Sequence, residues 1–516
     1  MRRRLPESRA HAARSTTSAP EGFARSLRTE TVRHLWILFA VALLARANSF
    51  GDPNYHADET FYLMVGKAMH AGMSPYLDIW DRKPPGLFVL YWVLAGISGS
   101  VLSFQIAGFL FTVATGAVVV RIARRWSGGD EALLGGCLYI AYLQPLLGGG
   151  GQSPVFYNLF VCTAVLLLIQ AAEQPQPSRI FGRGVGAALL SGIAVAVKPT
   201  AVFEGMFVVL GFAWLEWNSR RNPTCVARLL LTTGLGAALP VIAMVAWYTA
   251  RGELGIFLQA TVVSNFQKDG APTWLFVHTA RYLLVIMCPI ATCAWLGWFT
   301  ARRDLSDRRL FGLISLWLVA ALAGFLSVPN FYSHYALPVV PVLAVLSARY
   351  FSTKRLGQYL ALFVIGWALW VGQSLDLTRG MRSKARFERA AEVIRTNLHG
   401  GPLYVFDGPP SLYSATASRW TGRFVFPEHL SNAIERRALG TDARGELTRV
   451  LGAKPDVIVV TSSPKPTLNT ENFNLLQGEL TRNYRLVCTM PAFDFEHHYW
   501  MYIFARSRPE RSQCKA

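Results

Sequence analysis

The chain has 516 residues, 52% of them hydrophobic, with 31 Phe, 15 Trp and a formal net charge of +20. A mean hydropathy of +0.29 over that length excludes an ordinary soluble protein and leaves a polytopic membrane protein. The charge does not read as a nucleic-acid surface, because the arginines recur in short clusters between apolar segments, which marks cytoplasmic loops and attraction to anionic lipid.

Met1 to Arg33 is rich in Arg, Ser and Ala without an apolar pattern, so 1–33 is expected to be a disordered basic cytoplasmic arm. A targeting peptide is the other reading, but no small-residue cleavage site follows the apolar run Leu35 to Phe50, which is taken as the first span. A polar loop, 51–85, comes next. It carries Asp58, Glu59, Asp78, Asp81, Arg82 and Lys83 between two strongly apolar regions, and a membrane protein that keeps so many charges at its surface is using them. Between the two clusters, Phe61, Met64, Val65, Ala68 and Met69 fall at helical spacing, which predicts a short interfacial helix with Asp58 and Glu59 at its N-terminus. Pro84-Pro85 cannot continue a helix and fixes Lys83 at a turn beside the bilayer, a place that suits a phosphate. From spacing alone the first cluster reads equally as an N-capping pair, and the second as a solvated loop.

Pro84 to Val120 holds 37 residues without a charge. Two crossings there would put Arg121, Arg124 and Arg125 outside, so Gly86 to Ser100 is read as interfacial or re-entrant and Leu102 to Val120 as the return span. Further spans are expected over 133–147, 155–171, 184–197, 201–215, 229–248, 282–300, 310–327, 336–346 and 359–371, about eleven in all, with the N-terminus inside. The outer loops then include Gly148 to Pro154, Lys198-Pro199-Thr200, a longer loop with Asn265, Lys268 and Asp269, and Pro329-Asn330-Phe331-Tyr332-Ser333-His334-Tyr335. Residues 34–375 form the membrane domain in this reading, and 376–516 a small extracytoplasmic α/β domain. In that tail, helices are predicted over 386–398 and 444–451, and strands over 403–406, 457–460, 485–488 and 501–504. The tail has no G-x-G-x-x-G and no P-loop, and Glu496-His497-His498 is discounted as a metal site because adjacent strand residues point to opposite faces. Seven cysteines, mostly within expected spans, show no C-x-x-C and no metal spacing, so neither a disulfide framework nor a zinc site is expected.

The pattern Asp58-Glu59-x-Phe61-Tyr62, then Gly72-x-x-Pro75-Tyr76-x-Asp78, then Asp81-x-Lys83-Pro84-Pro85-Gly86 resembles the first extracytoplasmic loop of bacterial GT-C glycosyltransferases. These integral membrane enzymes are related to the aminoarabinose transferase of lipid A and to the protein O-mannosyltransferases, the family-39-like group. The resemblance implies a multi-pass protein of the bacterial inner membrane with a periplasmic active site. It would move a hexose or pentose, with inversion, from a polyprenyl-phosphate donor to a cell-envelope acceptor such as a lipopolysaccharide, another glycolipid or a polysaccharide. A protein acceptor, or a transporter or flippase of lipid-linked sugars, is the alternative. A transporter would carry polar residues on both sides of the midplane, whereas here they collect on one face.

The resemblance makes Asp58 the base, or the ligand of a divalent cation (Mg, Mn or Zn), with Glu59 tuning it or capping the helix. Lys83 matches the lysine of the family's Lys-Pro-Pro turn and would hold the donor phosphate. Lys198 would assist it or else snorkel to the interface. His334 and Tyr335, before Ala336-Leu337-Pro338-Val339-Val340-Pro341, resemble the start of a late family helix and would bind phosphate or sugar, though belt residues look alike. Glu204, inside an expected span, is a functional residue or a satisfied buried one. Tyr62, Asp78, Asp81 and Arg82 complete the candidates. Two departures stand out. Gly151-Gln152-Ser153-Pro154 lacks the acidic residue that many relatives place in the second outer loop, and Phe61 stands where aminoarabinose transferases have arginine, which argues for a different sugar.

Overall fold

A computed structural model describes residues 21–304, 308–328, 332–353, 355–462, 467–495 and 497–506, with the backbone alone over 21–28. The membrane region opens with α1 (Glu21–Arg46), α2 (Ala57–His70), α3 (Pro85–Ile97), α4 (Leu102–Ala123), α5 (Gly129–Leu143), α6 (Ser153–Glu173) and α7 (Pro177–Val197). It continues with α8 (Val202–Arg220) and α9 (Pro223–Ala250), then short α10 (Leu254–Leu258) and α11 (Ser264–Gln267) either side of a π-turn, then α12 (Thr273–Arg303), α13 (Arg308–Leu326), α14 (Val339–Phe351) and α15 (Arg355–Val371).

Seven helices among the described residues are long and apolar enough to cross a membrane: α4, α6, α7, α8 with its preceding 3-10 turn, α9, α12 and α13. At the other expected places stand α1, and three shorter helices, α5, α14 and α15, of 15, 13 and 17 residues. Of the expected disordered arm, residues 1–20 lie outside the described residues, while Glu21 to Arg33 is already helix α1. The reason is local charge pairing: Arg124 reaches Glu30 at 2.6 Å and Arg33 reaches Asp130 at 2.6 Å, so this first part of α1 is tied to the same end of the bundle as α4 and α5.

The polar loop after α1 leads into two helices that pack on each other. In α2, the His56 ring caps the N-terminus by accepting from the Asp58 amide at 3.3 Å, and Asp58 and Glu59 occupy the first turn, where the helix dipole favours anions. Pro84 and Pro85 open α3, each suited to a position whose N–H has no intrahelical partner. At 13 residues α3 is about 20 Å long, too short to span a hydrocarbon core of about 30 Å. Gly66 lets the two helices touch: a Cβ there would run into the backbone of Tyr91 and Trp92.

Beyond α15 come α16 (Thr378–Asn397), α17 (Ser411–Ala415), α18 (Glu428–Ser431), α19 (Ala443–Gly452) and α20 (Thr470–Asn483). They accompany strands β1 (Leu403–Val405), β2 (Val457–Thr461), β3 (Arg485–Phe493) and β4 (His498–Ala505), in the order β1-β2-β4-β3. β1 runs parallel to β2, pairing Val405 with Val459, and the other pairs are antiparallel. β1 and most of β2 are buried throughout, as continuous apolar runs require, whereas β4 alternates between buried and more exposed positions. All four expected strands are present, β3 and β4 longer than read, and α20 was not expected. Cys488 in β3 is disulfide-bonded, which corrects the expectation drawn from the absence of C-x-x-C.

The sheet region sits on the polar loop between α1 and α3. Asn54 Nδ2 donates to Phe493 O at 2.9 Å, Ser383 Oγ to Asp52 Oδ1 at 3.0 Å, Ser411 Oγ to Pro53 O at 3.0 Å, and the Trp80 amide to Arg423 O at 2.9 Å. The loop that carries the acidic and basic candidates is therefore clamped between the helical bundle and the C-terminal sheet.

Candidate active site

Two backbone devices aim the charges. The α2 N-terminus presents Asp58, and the turn before α3 presents Lys83. That turn is held by Asp81, whose Oδ1 accepts from the Lys83 amide at 2.8 Å, and by Tyr76, whose hydroxyl donates to Lys83 O at 2.8 Å. Tyr76 itself sits at φ 74°, a left-handed conformation costly for a bulky residue, kept because the ring is fully buried and its amide donates to Ile79 O at 2.7 Å.

The result is an ion pair, Lys83 Nζ to Asp58 Oδ2 at 3.5 Å, with the ammonium 5.2 Å from the centre of the Tyr62 ring. Burial works to raise the Asp58 pKa, but Lys83 above all, then His56 and a hydrogen bond from Tyr62, override it and hold the carboxyl well below its usual range. Lys83 is likewise kept charged: burial opposes the charge, while Asp58 and Asp81 raise its pKa overall. Lys198, the residue that ends α7, lies 4.8 Å from the centre of the Tyr335 ring. Burial, then the neighbouring Lys83, push the Lys198 pKa down to about 7. His334 packs edge-on to Tyr335 and to His56, and burial lowers its pKa well below the ordinary value, so it serves as a neutral ring. Pro329-Asn330-Phe331 and Glu496 lie outside the described residues.

The structure thus brings together Asp58, Tyr62, Lys83, Lys198, His334 and Tyr335. The other candidates are elsewhere or serve them. Glu59 is fully buried and directed at the Gly149–Gly151 loop, away from Lys83; burial pushes its carboxyl up to about 7. Arg46, buried at the end of α1, grips the same loop through Gly148 O at 2.7 Å and Gly150 O. A Cβ on Gly150 would collide with the Glu59 carboxylate, so Gly150→Ala is expected to cost about 1–3 kcal/mol by overpacking, read as a lowered thermal midpoint. An unchanged midpoint would contradict this packing. Asp78 is exposed and accepts from the Ser74 amide at 2.7 Å, a turn contact outside the site. Arg82 turns to Glu435. Glu204 accepts from Trp317 Nε1 at 2.9 Å and, with Lys198, Thr200 and Tyr335, lines a cavity of about 10 Å³, room for a single water.

Sequence reasoning missed five neighbours. His56 and Gln152 flank Asp58, with Gln152 Nε2 3.0 Å from His56 Nδ1 and 3.5 Å from Asp58 Oδ2. An amide therefore stands where the family resemblance led to the expectation of a carboxylate, and the loop departure at Gln152 was the available signal. Lys268 and Glu435 form an ion pair at 2.9 Å, and His429 Nε2 backs Asp81 at 3.8 Å; these arrive from distant segments with no local signature. The donor set around Asp58 does not fit the divalent cation that the resemblance allowed. Lys83 stands 3.5 Å away, Glu59 is turned aside, and among the described residues no three His, Cys, Asp or Glu side chains converge.

Beside the site, α12, α13 and α14 enclose an apolar groove of about 490 Å³, lined by residues including Leu283, Trp298, Leu322, Phe325 and Val339. Ala336, two residues from His334, lies at its wall.

The family model described as "Putative competence-induced protein Ccs4 N-terminal domain" matches residues 25–358. No curated protein matches. Among solved structures, the chain is similar to ArnT from Cupriavidus metallidurans in the apo state, at 14% identity and a TM-score of 0.59, over 93% of this chain and 98% of that one. It is similar to the same protein bound to undecaprenyl phosphate, also at 14% and 0.59, over 94% and 98%. A third similar structure is the Archaeoglobus fulgidus oligosaccharyltransferase in complex with Zn and sulfate, at 12% identity and 0.50, over 83% and 67%. At such identities the likeness is one of fold: the chain has the GT-C fold that its polar loop 51–85 announced.

Proposed function

We propose that this chain, which belongs to the family of the competence-induced protein Ccs4 N-terminal domain, is an inverting glycosyltransferase that takes a hexose or pentose from a polyprenyl-phosphate donor. The acceptor is a cell-envelope glycolipid or polysaccharide. The observation that carries this reading is the Asp58–Lys83 pair at 3.5 Å, with Lys198 and Tyr335 beside it and an apolar groove of about 490 Å³ running off from the same segment. Two ammonium groups suit a departing phosphate, and the groove suits a prenyl chain. The similar ArnT structure is described as bound to undecaprenyl phosphate, a lipid of that class.

The pair also suggests how the base is switched on. While Lys83 faces Asp58, the carboxylate is held too acidic to accept a proton well. A donor phosphate draws Lys83 to itself, removing a positive field from Asp58 and adding a negative one, so its pKa rises. The acceptor hydroxyl then attacks the anomeric carbon and its proton passes to Asp58. The bond from the anomeric carbon to the phosphate oxygen breaks, and the electron pair leaves with the phosphate between Lys83 and Lys198. Attack opposite the leaving group inverts the anomeric configuration.

The active face is outside. Arginine clusters mark the opposite end of the bundle, and the disulfide at Cys488 suits an oxidising compartment for the residues beyond 376. With Phe61 in place of arginine, the sugar differs from aminoarabinose. The testing experiment is glycosidic bond formation by the detergent-solubilised protein from a labelled polyprenyl-phosphate sugar and an envelope glycolipid extract. A new bond without a membrane to cross supports the transferase, and none at all supports a flippase.

Lys198 adds a pH signature. Its pKa of about 7 means that the charged form, which grips phosphate, is lost as pH rises through 7. Donor affinity should therefore fall between about pH 6 and 8 in the wild type and stay flatter in Lys198→Arg, whose guanidinium remains charged. Matching profiles would remove Lys198 from the phosphate seat.

A further inference from the structure

The cations next to Lys83 are not all left open. Arg82 packs over the Trp80 ring at 5.8 Å and forms an ion pair with Glu435. Lys268, from the segment between α11 and α12, reaches the same carboxylate at 2.9 Å. Glu435 comes from the C-terminal region, more than 350 positions along the chain from Arg82, and its side chain is 6% exposed.

The backbone delivers that carboxylate to a fixed point. Glu435 ends the 3-10 turn Ala433–Glu435, in which Asn432 Oδ1 accepts from the Ile434 amide at 3.1 Å. The Ala433 amide donates to Thr467 O at 2.7 Å, and the Asp269 amide donates to Ile434 O at 3.1 Å, so the turn is tied both to its own region and to the Lys268 segment. The two cation sets are contiguous: Tyr335 lies in the fields of both Lys83 and Arg82, and Lys268 in the fields of Arg82 and Lys83. A buried carboxylate shared by a guanidinium and an ammonium offers them what a phosphate would offer, charged oxygen acceptors. A diphosphate brings a second phosphoryl group one bridging oxygen from the first, and near this pair it would meet a carboxylate already seated there.

We propose that Glu435 is a specificity-determining residue of the donor site, filling with a protein carboxylate the seat that a second phosphate would take on Arg82 and Lys268. The site then admits a prenyl monophosphate and turns away a prenyl diphosphate. The selectivity is a repulsive element: like charges oppose each other, and the diphosphate gains no cations in return. The proposal rests on reading Lys83 and Lys198 as the phosphate seat.

The test is competition by polyprenyl monophosphate and polyprenyl diphosphate against a labelled monophosphate, on the purified full chain in detergent. The wild type should prefer the monophosphate. In Glu435→Gln the diphosphate should gain about tenfold or more relative to the monophosphate, the scale of one charged hydrogen bond made available. Glu435→Asp, which keeps the charge, should retain the wild-type order, as a merely structural role would not require. An unchanged ratio in a Glu435→Gln protein with a wild-type unfolding profile overturns the proposal. Should that variant fail to fold, the wild type alone decides, because equal or tighter binding of the diphosphate is incompatible with an occupied seat. Binding of neither lipid by the wild type would contradict the donor reading itself, whereas monophosphate binding with an unchanged ratio contradicts only the role of Glu435.

Discussion

Asp58→Asn should lower sugar transfer by roughly 10²-fold or more, the scale for loss of a general base, while the protein remains folded and inserted. Asparagine keeps the size of the side chain and can still accept from Tyr62 and Gln152, but it takes no proton at neutral pH. The same change frees Lys83 from its 3.5 Å partner. Donor binding should therefore be retained or tightened while turnover collapses, a split between binding and rate that a folding defect would not produce. Glu59→Gln should behave differently. Its carboxyl is pushed up to about 7 by burial and faces the Gly149–Gly151 loop, so the amide removes little charge and leaves transfer largely intact.

Lys83→Ala should show the opposite split, with the largest loss in donor binding. The ammonium is the charge nearest Asp58 and is held by the Asp81 turn, so its removal takes away a charged phosphate contact, about 1.5–3 kcal/mol or roughly tenfold to a hundredfold in affinity. It also leaves Asp58 without its counter-ion, so the Asp58 pKa rises and part of the loss in rate is offset at saturating donor. Lys83→Arg should rescue only in part, because a planar fork and a compact ammonium fill one seat differently. Donor binding to Lys83→Ala at wild-type affinity, measured by competition with labelled polyprenyl phosphate, would exclude this lysine from the site.

Much of this site was readable because its central pair is local. Asp58 and Lys83 lie 25 positions apart in one polar island, and the device that aims the lysine is written beside it as Pro84-Pro85, with Asp81 two residues before. The same holds for the strands, since runs such as Val457 to Val460 are apolar enough to declare a buried strand. What escaped was whatever depends on one segment meeting another. Lys268, His429 and Glu435 reach the loop from segments about 185 to 355 positions beyond it, and nothing in their own neighbourhoods distinguishes them from surface charges. Glu59 was read from adjacency as tuning Asp58 or capping the helix; successive residues on a helix point about 100° apart, and contacts across the fold, not adjacency, direct this carboxylate at the glycine loop. The N-terminal stretch 21–33 escaped for a related reason: its helix is supported by ion pairs to α4 and α5, not by an apolar pattern of its own.

The most direct measurement of Asp58 as the base is single-turnover transfer by protein already loaded with a labelled polyprenyl-phosphate sugar in detergent, started by adding an envelope glycolipid extract, with wild type and Asp58→Asn side by side. The wild type should pass the label to the acceptor with inverted anomeric configuration, while Asp58→Asn should keep its donor bound and unreacted. Transfer by Asp58→Asn at the wild-type rate, or release of intact donor by the wild type without a new glycosidic bond, would contradict it.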